Sequence, residues 1–541
     1  MPGWRNWQTR TTQNRVEKSV RVRFPPRARN TREYMLQSLF KKIDSIFDTT
    51  PMYRVVVYSL SAMAGYAIIL SFLHILSYNG FFLMLSLVLL VCTAYGVNEI
   101  CSFCTKVPAH PDSAVITALI LFFLLSPLRT FSDALFLALA AAVAMLSKYL
   151  FAVRHRQIFN PAAFSAVVIG LSGGGVLWWV GSLVMLPATI FVGYCVIKKI
   201  RRVDLFVSAL IAGALPSLVF GLTSGLQSVD ILFQYIVSSP IIFFASVMVT
   251  EPLTTPPTRE LRILYGAFIG VFSNIPLHVG RVYFTPELAL VLGNIFSYAV
   301  SIHERLHLRL TEKKCIAQDT YEFVFQNRSV PPFSPGQYLE WTLPHDHPDA
   351  RGIRRYFTIA SSPTEPAIRL STKFFTPSSS FKKKLNALTV GESIWATQLC
   401  GDFTLPVDEK KKLGFIAGGI GITPFRSMIQ YLIHTKSRRD VILFYQNKTP
   451  QDIAYKELCD RGKTAFDLRT VYLVSTAGQS PWNGEVGYLT AEILRKYAAD
   501  VLERLWYLSG PSSMVSSYKK ILIGMGVKKE HILTDYFPGF A

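Results

Sequence analysis

The sequence has few cysteines and histidines, which limits the metal chemistry that it can support. Its seven cysteines are odd in number and do not form a disulfide framework. No C-x4-C-x2-C spacing occurs, which excludes a plant-type [2Fe–2S] domain. Only His74 and His278 fall in apolar stretches, too few for the paired histidines of a transmembrane haem reductase. Cys101 and Cys104 form one CxxC, interpreted as free thiols or as part of a cluster shared with a partner; no metal site is predicted.

Charged residues are also scarce, at 17% of the chain, and acidic ones are fewer than basic ones, so the net charge is +21. Residues 1–34 hold nine Lys or Arg and two Glu, or +7 of that charge, and have no apolar h-region of a secretory signal. We interpret this segment as a non-native extension that resembles the translation of an upstream transfer-RNA gene, with Met35 as the first residue. A basic nucleic-acid-binding arm and a disordered tail are the alternatives. The remaining positive charge lies beside apolar stretches, so no nucleic-acid partner is expected.

Long apolar stretches dominate residues 55–302, which follow a short lead-in at 35–54. Most of them approach the ~20 residues that a helix needs to cross a bilayer. The fifth contains Asn160-Pro161 and ends at Gly173, which predicts a broken or re-entrant helix. The sequence therefore predicts a polytopic α-helical membrane bundle of ten spans. The predicted spans are 55–77, 81–97, 113–127, 131–152, 158–171, 175–197, 203–222, 229–249, 263–280 and 286–302.

Basic residues are distributed unevenly between the two sides of this predicted bundle. Only Arg129 and Arg281 fall on one side. By the positive-inside rule the other side, and with it both termini, is cytoplasmic, in a multi-pass protein of the cell (inner) membrane surrounded by lipid. The basic residues of that cytoplasmic side are Lys106, Arg154, Arg156, Lys198, Lys199, Arg201, Arg202, Arg259 and Arg262.

Three stretches of the apolar half carry a family resemblance. KVPAHPDSAVITALILFFLLSP (106–127), SKYLFAVRHRQIFNPAAF (147–164) and VMVTEPLTTPPTRELRILYGAFIG (247–270) occur in this order. They resemble the D subunit of Rnf-type electron-transport complexes and equally the B subunit of the sodium-pumping NADH:quinone reductase. The resemblance implies a fold that holds membrane flavins and moves electrons, coupled to cation transport, beside Rnf- or Nqr-like subunits.

The apolar half departs from that family at its covalent flavin site. The family attaches FMN to the Thr of an S-G-A-T motif, and the matching loop here reads Thr223-Ser224-Gly225-Leu226-Gln227-Ser228. Gln227 stands in place of the acceptor threonine, and its amide cannot form the phosphoester. This leaves room for a non-covalent FMN or riboflavin. Asn160, Thr117 and Thr250 are its candidate lining residues, with structural packing as the alternative.

The water-soluble half begins with a predicted antiparallel β-barrel at 303–407. Phe333-Ser334-Pro335-Gly336 forms a turn after the strand-like run Tyr321 to Gln326. The string Arg355-Tyr356-Phe357-Thr358 follows and resembles the R-x-[Y/F]-[S/T] signature of ferredoxin–NADP reductase-type flavoproteins. That resemblance implies bound FAD, with Arg355 on the pyrophosphate. Tyr356 and Phe357 are then cofactor-binding residues, and the Phe357 ring lies against the isoalloxazine. Thr358 lies near N5, the flavin atom that accepts the hydride.

A predicted helix start provides the second half of this FAD site. Ser378-Ser379-Ser380-Phe381-Lys382-Lys383-Lys384 lies at the distance where the family places a phosphate-binding helix. Small hydroxyl residues before a helix expose backbone N–H groups and a positive dipole, so Ser379 and Ser380 are predicted to contact the pyrophosphate. The lysines are interpreted either as further anion contacts or as a solvated face.

The last predicted domain, 408–541, is an α/β Rossmann-like domain for NAD(P). The string from Leu413 to Phe425 gives a buried strand, a glycine turn and a helix start, and its GGIGITPF core resembles the same reductase family. A second element from Tyr507 to Met514 resembles the family's C-G-P-x-x-M, with Ser509 in place of the cysteine, and the tail at Phe540 resembles family tails that lie against the flavin. The predicted nucleotide-site residues are Gly418, Gly419, Gly421, Thr423, Pro424, Ser509, Gly510, Pro511, Met514 and Phe540; Thr358 and Ser509 are the predicted catalytic pair.

Together these features predict a membrane-bound NAD(P)H-dependent flavin oxidoreductase of multi-domain fold. Electrons from NADH or NADPH pass through FAD to the membrane domain and on to a quinone or another acceptor. One alternative is a subunit of an Rnf- or Nqr-like cation-translocating complex. The other is a transporter-like bundle with a regulatory reductase domain.

Overall fold

A computed structural model describes residues 50–105, 111–153, 156–280, 282–301, 305–326, 332–349, 351–477 and 482–537, together with Phe47. The predicted extension 1–34, the basic residues Lys106, Arg154 and Arg281, and the predicted site residue Phe540 lie outside these described residues. From Pro51 onward the described chain belongs to one unit.

The apolar half is helical, with two short hairpins. Four of its helices, of 21, 26, 20 and 21 residues, are long and apolar enough to cross a membrane: α1, α2, α4 and α7. The helices of this half are α1 Met52–Phe72, α2 Gly80–Thr105, α3 Pro111–Leu124, α4 Phe131–Leu150, α5 Pro161–Leu171, α6 Leu186–Ile200, α7 Val203–Thr223, α8 Ser228–Phe233, α9 Ile241–Phe243, α10 Arg259–Phe272 and α11 Pro286–Val300. The hairpins are β1 Ala152–Val153 with β2 Arg156–Gln157, and β3 His278–Val279 with β4 Val282–Tyr283.

The predicted count of ten spans is therefore wrong. The described residues contain four full-length apolar helices, or five if one bent pair is counted as a single span. In that pair, α8 and α9 each continue as a π-helical turn, Gln234–Ser238 and Phe244–Met248, and the two parts meet at 60°. The apolar helices α3, α5 and α11 have 14, 11 and 15 residues, or about 17–23 Å at 1.5 Å per residue, against a hydrocarbon thickness of ~30 Å.

The short helices end where prolines, glycines and polar caps interrupt an apolar run. Asn160 caps α5 by accepting a hydrogen bond from Ala163 N, and the helix stops before Gly173, as the predicted break requires. The chain after α5 then satisfies the end of α3, because Leu177 N donates to Leu124 O at 2.9 Å and Ser126 N donates to Gly175 O at 3.0 Å. Hydropathy measures the apolar run and cannot detect this exchange of backbone partners.

The first part of the soluble half is a six-stranded antiparallel sheet in the order β8-β7-β10-β5-β6-β9. Ala360 N, just after β8, donates to Arg369 O of β9 at 2.9 Å, so the two edge strands meet and the sheet closes into the predicted barrel. Its strands are β5 Leu306–Ala317, β6 Thr320–Gln326, β7 Tyr338–Thr342, β8 Arg354–Thr358, β9 Ile368–Lys373 and β10 Ser393–Cys400, with helix α12 Ser380–Ala387 before β10.

The second part is a six-stranded parallel sheet in the order β14-β13-β12-β11-β15-β16. Its central strand β11 is buried throughout, as the apolar run from Leu413 predicts. The α/β Rossmann-like fold predicted for this region is confirmed. Its strands are β11 Leu413–Gly418, β12 Val441–Asn447, β13 Arg469–Val474, β14 Glu485–Val486, β15 Leu505–Pro511 and β16 Ile532–Phe537; its helices are α13 Thr423–His434, α14 Lys456–Phe466, α15 Ala491–Tyr497 and α16 Ser512–Gly524.

An ion network joins the apolar half to the barrel. Arg262 Nη2 lies 2.9 Å from Asp402 Oδ2 of the barrel and 3.3 Å from Asp204 Oδ2 of α7. Arg259 N donates to Asp402 Oδ1 at 2.9 Å. The side chain of Arg262 is only 13% exposed, so its charge is shielded from water and the two carboxylates compensate it. This contact places α7 and α10 directly against the barrel.

Candidate functional site

The end of strand β8 presents an unsatisfied hydroxyl. Thr358 is 3% exposed, and among the described residues its Oγ1 has no hydrogen-bond partner. Phe357 precedes it and packs its ring 5.8 Å from Phe381 of α12. A buried hydroxyl without a partner is costly unless a ligand completes it. Thr358 therefore fits the predicted role of a hydrogen-bonding group for a flavin.

The predicted phosphate contact Arg355 belongs to β8, and its side chain reaches Asp349 beside the start of α12. Its guanidinium donates to Asp349 Oδ1 at 2.8 Å and lies over the Phe381 ring at 5.4 Å. Ser380 N also donates to that carboxylate, at 3.3 Å, and Asp349 N donates to Ser380 Oγ at 2.9 Å. Burial raises the pKa of the Asp349 carboxyl, but hydrogen bonds from Arg351 and the charge of Arg355 outweigh it and hold the pKa below its usual range.

The start of α12 is thus built to hold a negative charge, which here is the Asp349 carboxylate. Ser379 caps the helix by accepting from Lys382 N at 3.3 Å. Burial, followed by the charges of Arg351 and Arg355, lowers the pKa of Lys382 to about 8. Arg355 and Ser380 are brought together as the sequence predicts. Asp349 was missed, because a carboxylate in a loop gives no signal in the sequence.

The glycine turn after β11 packs tightly against the end of β15. A Cβ placed on Gly421 would lie 2.5 Å from Ser509 O and 2.6 Å from Gly510 Cα, so only glycine fits there. A Cβ on Gly418 would lie 2.3 Å from the Met514 sulfur. The structure therefore brings together the two motifs that the sequence analysis assigns to the NAD(P) site.

The other predicted nucleotide-site residues surround this contact. Gly419 and Gly510 adopt positive φ angles of 52° and 152°. Thr423 begins α13, with Pro424 in its first turn, and its Oγ1 donates to Ile420 O at 3.2 Å. Pro511 ends β15. Arranged in this way, the turn leaves backbone N–H groups at the start of α13 for a dinucleotide phosphate.

Ser509 provides a second unsatisfied hydroxyl. Its side chain is fully buried, and its Oγ has no partner within the described part of the chain. Its neighbour in the sheet is Asp535 of β16. Burial raises the pKa of Tyr338, and the nearby Cys400 and Asp535 raise it further, while Arg202 opposes this effect. Tyr338 pairs with Thr358 across β7 and β8, and Ser509 pairs with Asp535 across β15 and β16. The effect of Asp535 on Tyr338 therefore places these two strand ends close to each other at the junction of the barrel and the parallel sheet, which we call the cleft.

The barrel and the parallel sheet are held together by a buried ion pair that the sequence did not reveal. Arg426 of α13 forms a bidentate pair with Glu365 of the barrel, with Nη2 at 2.9 Å from Oε1, and the Arg426 side chain is 8% exposed. Ser427 Oγ donates to Ser361 O at 2.6 Å. These contacts fix the cleft width, which hydride transfer requires.

The carboxyl group of Asp535 is expected to make the rate of NADH oxidation depend on pH. Burial raises the pKa of Asp535 to about 6, so the carboxyl becomes charged as the pH rises through that value. With a nicotinamide bound beside Ser509, a carboxylate at Asp535 would stabilise positive charge on that ring. NADH oxidation with ferricyanide as acceptor is expected to rise about three- to fourfold between pH 5 and pH 7. About 1 kcal/mol of charge stabilisation gives about fivefold over the whole titration, and a group with a pKa of about 6 completes about four fifths of its titration in this range.

Asp535→Asn is the control for that profile, because it removes the charge and keeps the shape. Its rate should vary little over the same range and should stay near the low-pH rate of the unaltered protein. An unchanged inflection in Asp535→Asn would show that another group titrates.

Comparisons with known proteins match this half of the chain. The model of the oxidoreductase NAD-binding domain matches residues 415–520. The glycine betaine monooxygenase reductase subunit of Chromohalobacter salexigens is 28% identical over 209 residues, 38% of this chain and 56% of that protein. NADH-cytochrome b5 reductase 1 of Pyricularia oryzae is 30% identical over 203 residues, 36% of this chain and 65% of that protein. The chain thus spans between half and two thirds of the curated relatives described.

Solved structures are similar at lower identity. The flavohemoglobin of Malassezia yamatoensis, with bound FAD and heme, is 18% identical with a TM-score of 0.42, over 65% of this chain and 98% of that one. The FAD/NAD-binding domain of the nitric oxide dioxygenase of Vibrio cholerae is 19% identical with a TM-score of 0.38, over 43% of this chain and 98% of that one.

The family and the curated relatives confirm the enzyme class. The chain carries an NAD(P)H-dependent oxidoreductase module of the ferredoxin-reductase type, and the cofactors of such modules are FAD and NAD(H). The start of α12, which holds an anion, and the unpartnered hydroxyl of Thr358 fit FAD, and the unpartnered hydroxyl of Ser509 fits NAD(H).

Proposed function

We propose that the protein is a membrane-bound NAD(P)H-dependent flavin oxidoreductase, which delivers electrons to its own membrane half and from there to a quinone or another acceptor. When bound, FAD supplies the chemistry that accepts a hydride and releases electrons one at a time. The observation that carries the proposal is the contact of Arg262 with Asp402, which fixes the reductase barrel against α7 and α10. Fusion of donor and acceptor makes the delivery intramolecular, so no diffusional encounter is needed.

The domain boundaries follow from this proposal. Residues 55–302 are the membrane domain, 303–407 the FAD-binding barrel and 408–541 the NAD(P)-binding domain. The contacts of Arg259 and Arg262 with Asp402 support a cytoplasmic location for the barrel, because both belong to the basic side that the positive-inside rule assigns to the cytoplasm.

Each side chain of the cleft has a separate task in this proposal. Arg355 and the start of α12 hold the pyrophosphate, and Thr358 donates a hydrogen bond to the flavin ring. Ser509 and Asp535 orient the nicotinamide from the other side of the cleft. The tight packing of Gly421 against Ser509 excludes water from the space between the two rings.

The test is steady-state oxidation of NADH and of NADPH by the purified full chain in detergent. Ferricyanide can take electrons at the reductase module, whereas a water-soluble quinone such as menadione tests onward delivery. We expect at least one of the two nucleotides to support both acceptors. Turnover with ferricyanide but none with a quinone would contradict delivery to a quinone and limit the activity to the soluble half.

A redox-driven cation-translocating subunit is the second candidate, favoured by Glu251. Its carboxylate accepts hydrogen bonds from Gln157 Nε2 and Asn160 Nδ2, both at 2.8 Å, at the end of the bent helix pair. Thr117 and Thr250, predicted to line a flavin, instead donate to backbone carbonyls of their own helices. Stimulation of quinone reduction by Na⁺ would support this candidate, and a rate independent of Na⁺ would count against it.

A further inference from the structure

A cavity of about 210 Å³ lies at the junction of the apolar half and the barrel. It is smaller than the ~300–1,000 Å³ of sites for larger ligands, so it is too small for a dinucleotide and suits a single ring system. Both halves of the chain contribute to its wall. Among its lining residues are Met52, Ile200, Arg202, Tyr338, Tyr356 and Gln398.

The cavity lies on the face of β8 opposite to Arg355 and Phe357, two of the predicted flavin contacts. Successive side chains of a strand point to opposite faces, so Tyr356 points away from Arg355 and Phe357, and Thr358 lies on the same face as Tyr356. Tyr356 is 46% exposed although it lies within β8, and its ring packs 5.7 Å from Tyr338 in an edge-on arrangement. The cavity therefore adjoins the face of β8 that carries Thr358, the residue predicted to contact the flavin N5.

On its barrel side the cavity is bordered by two polar side chains that are hydrogen-bonded to each other. Tyr356 Oη donates to Gln398 Oε1 at 3.1 Å. Gln398 has a φ of +51°, a conformation that a residue with a side chain rarely adopts, at an irregularity of β10 between Thr397 and Cys400. Strained residues of this kind cluster where a ligand is held. The amide of Gln398 is thereby aimed at the Tyr356 hydroxyl.

The membrane side of the cavity has a guanidinium with a spare donor. Arg202 lies at the start of α7, and its Nη1 is buried without a hydrogen-bond partner in the part of the chain that the structure describes. Burial lowers the pKa of Arg202, and the like charge of Arg262 lowers it further. Tyr338, Cys400 and Tyr356 lie close enough to act on it electrostatically. A buried charged donor without a partner calls for an acceptor oxygen in the cavity.

Apolar side chains at the ends of two helices form part of the cavity wall beside the charged Lys199 and Arg202. Met52 is the first residue of α1 and Ile200 the last residue of α6. The cavity therefore lies at the level where these helices meet the barrel. A ring with an apolar body and carbonyl oxygens at its edges matches both the apolar and the polar parts of this wall.

We propose that this cavity binds the head group of a quinone, the terminal electron acceptor of the proposed function, on which this inference rests. Arg202 donates to one quinone carbonyl and the Tyr338–Tyr356–Gln398 edge faces the other. The positive charge of Arg202 stabilises the negative charge that the ring gains as electrons arrive. In the balanced reaction, NADH and one proton from solvent convert the quinone to its quinol and NAD⁺, and both carbonyl oxygens become hydroxyls.

The test compares two acceptors in the full chain, with NADH as donor and menadione as the probe. In Arg202→Gln we expect the KM for menadione to rise about tenfold, with NADH–ferricyanide turnover unchanged. Arg202→Lys, which keeps the charge, should restore part of the affinity. Arg201→Gln is the matched control, because Arg201 is exposed in the same loop and should show the KM of the unaltered protein.

Three outcomes would overturn the proposal. An unchanged KM for menadione in Arg202→Gln, with normal ferricyanide turnover, removes the quinone site but leaves the proposed function intact. An equal loss with both acceptors assigns Arg202 to the FAD site or to folding. Absence of NADH–ferricyanide turnover in the unaltered protein contradicts the proposed function itself.

Discussion

Gly421→Ala is expected to slow NADH oxidation about 100-fold while the protein keeps its FAD. The added Cβ would meet the backbone of Ser509 and Gly510 at 2.5–2.6 Å, and neither atom belongs to a flexible side chain. The start of α13 and the end of β15 must move apart, and overpacking of this kind costs about 1–3 kcal/mol. A misplacement of about 1 Å between reacting groups can lower a rate by 10²-fold.

The measurement is the single-turnover rate of flavin reduction by NADH, with FAD content determined in the same sample. Gly524→Ala is the matched control, because a Cβ there meets nothing within 4 Å at the end of helix α16. It should behave like the unaltered protein. A normal reduction rate in Gly421→Ala would mean that this turn does not position the nicotinamide.

Arg355→Ala is expected to lower FAD occupancy at least about tenfold. Arg355 is 13% exposed on its side chain and balances Asp349 at the start of α12, where the sequence places the pyrophosphate. A hydrogen bond to a charged group contributes about 1.5–3 kcal/mol, or a factor of about 10–150 in affinity. The substitution also removes one of the two arginines that pair with Asp349, so more of its negative charge is left to repel the pyrophosphate.

Occupancy is measured as flavin released per chain after gel filtration. Arg309→Ala provides the control, since Arg309 is an exposed residue of the same barrel whose Nε donates to Gly391 O at 3.2 Å. Retention of one FAD per chain in Arg355→Ala would contradict a role for Arg355 in the pyrophosphate site.

The soluble half was predictable from the sequence because its motifs report local structure. The strand predicted from Tyr321 to Gln326 is β6 at Thr320–Gln326, and the buried strand predicted from Leu413 is β11 at Leu413–Gly418. Glycine turns and alternating strands are set by neighbouring residues, so the sequence contains the information directly. The comparisons confirm the reductase module that these motifs indicated.

The apolar half was less predictable for a physical reason. An apolar run is counted the same whether its helix continues or breaks, so α3 and α11 were counted as full spans. The break at α5 was predicted only because Asn160-Pro161 and Gly173 mark it in the sequence. Ion pairs between residues far apart in the chain also cannot be read from the sequence. Arg355 with Asp349, Arg426 with Glu365, and Arg262 with Asp402 are paired by the fold and not by spacing.

The resemblance of the apolar half to Rnf D and Nqr B subunits stays a prediction, as does a non-covalent FMN or riboflavin there. The loop from Thr223 to Ser228, in which Gln227 replaces the acceptor threonine, is exposed between α7 and α8. A second flavin, released without proteolysis from the full chain, would support the resemblance.

The most direct test of the central claim is an anaerobic titration of the purified full chain with NADH, followed by its visible flavin absorbance. We expect one tightly bound FAD in the C-terminal module, bleached by one equivalent of NADH or NADPH per flavin. A folded chain that carries no FAD after reconstitution, or whose FAD neither nucleotide can bleach, would contradict it.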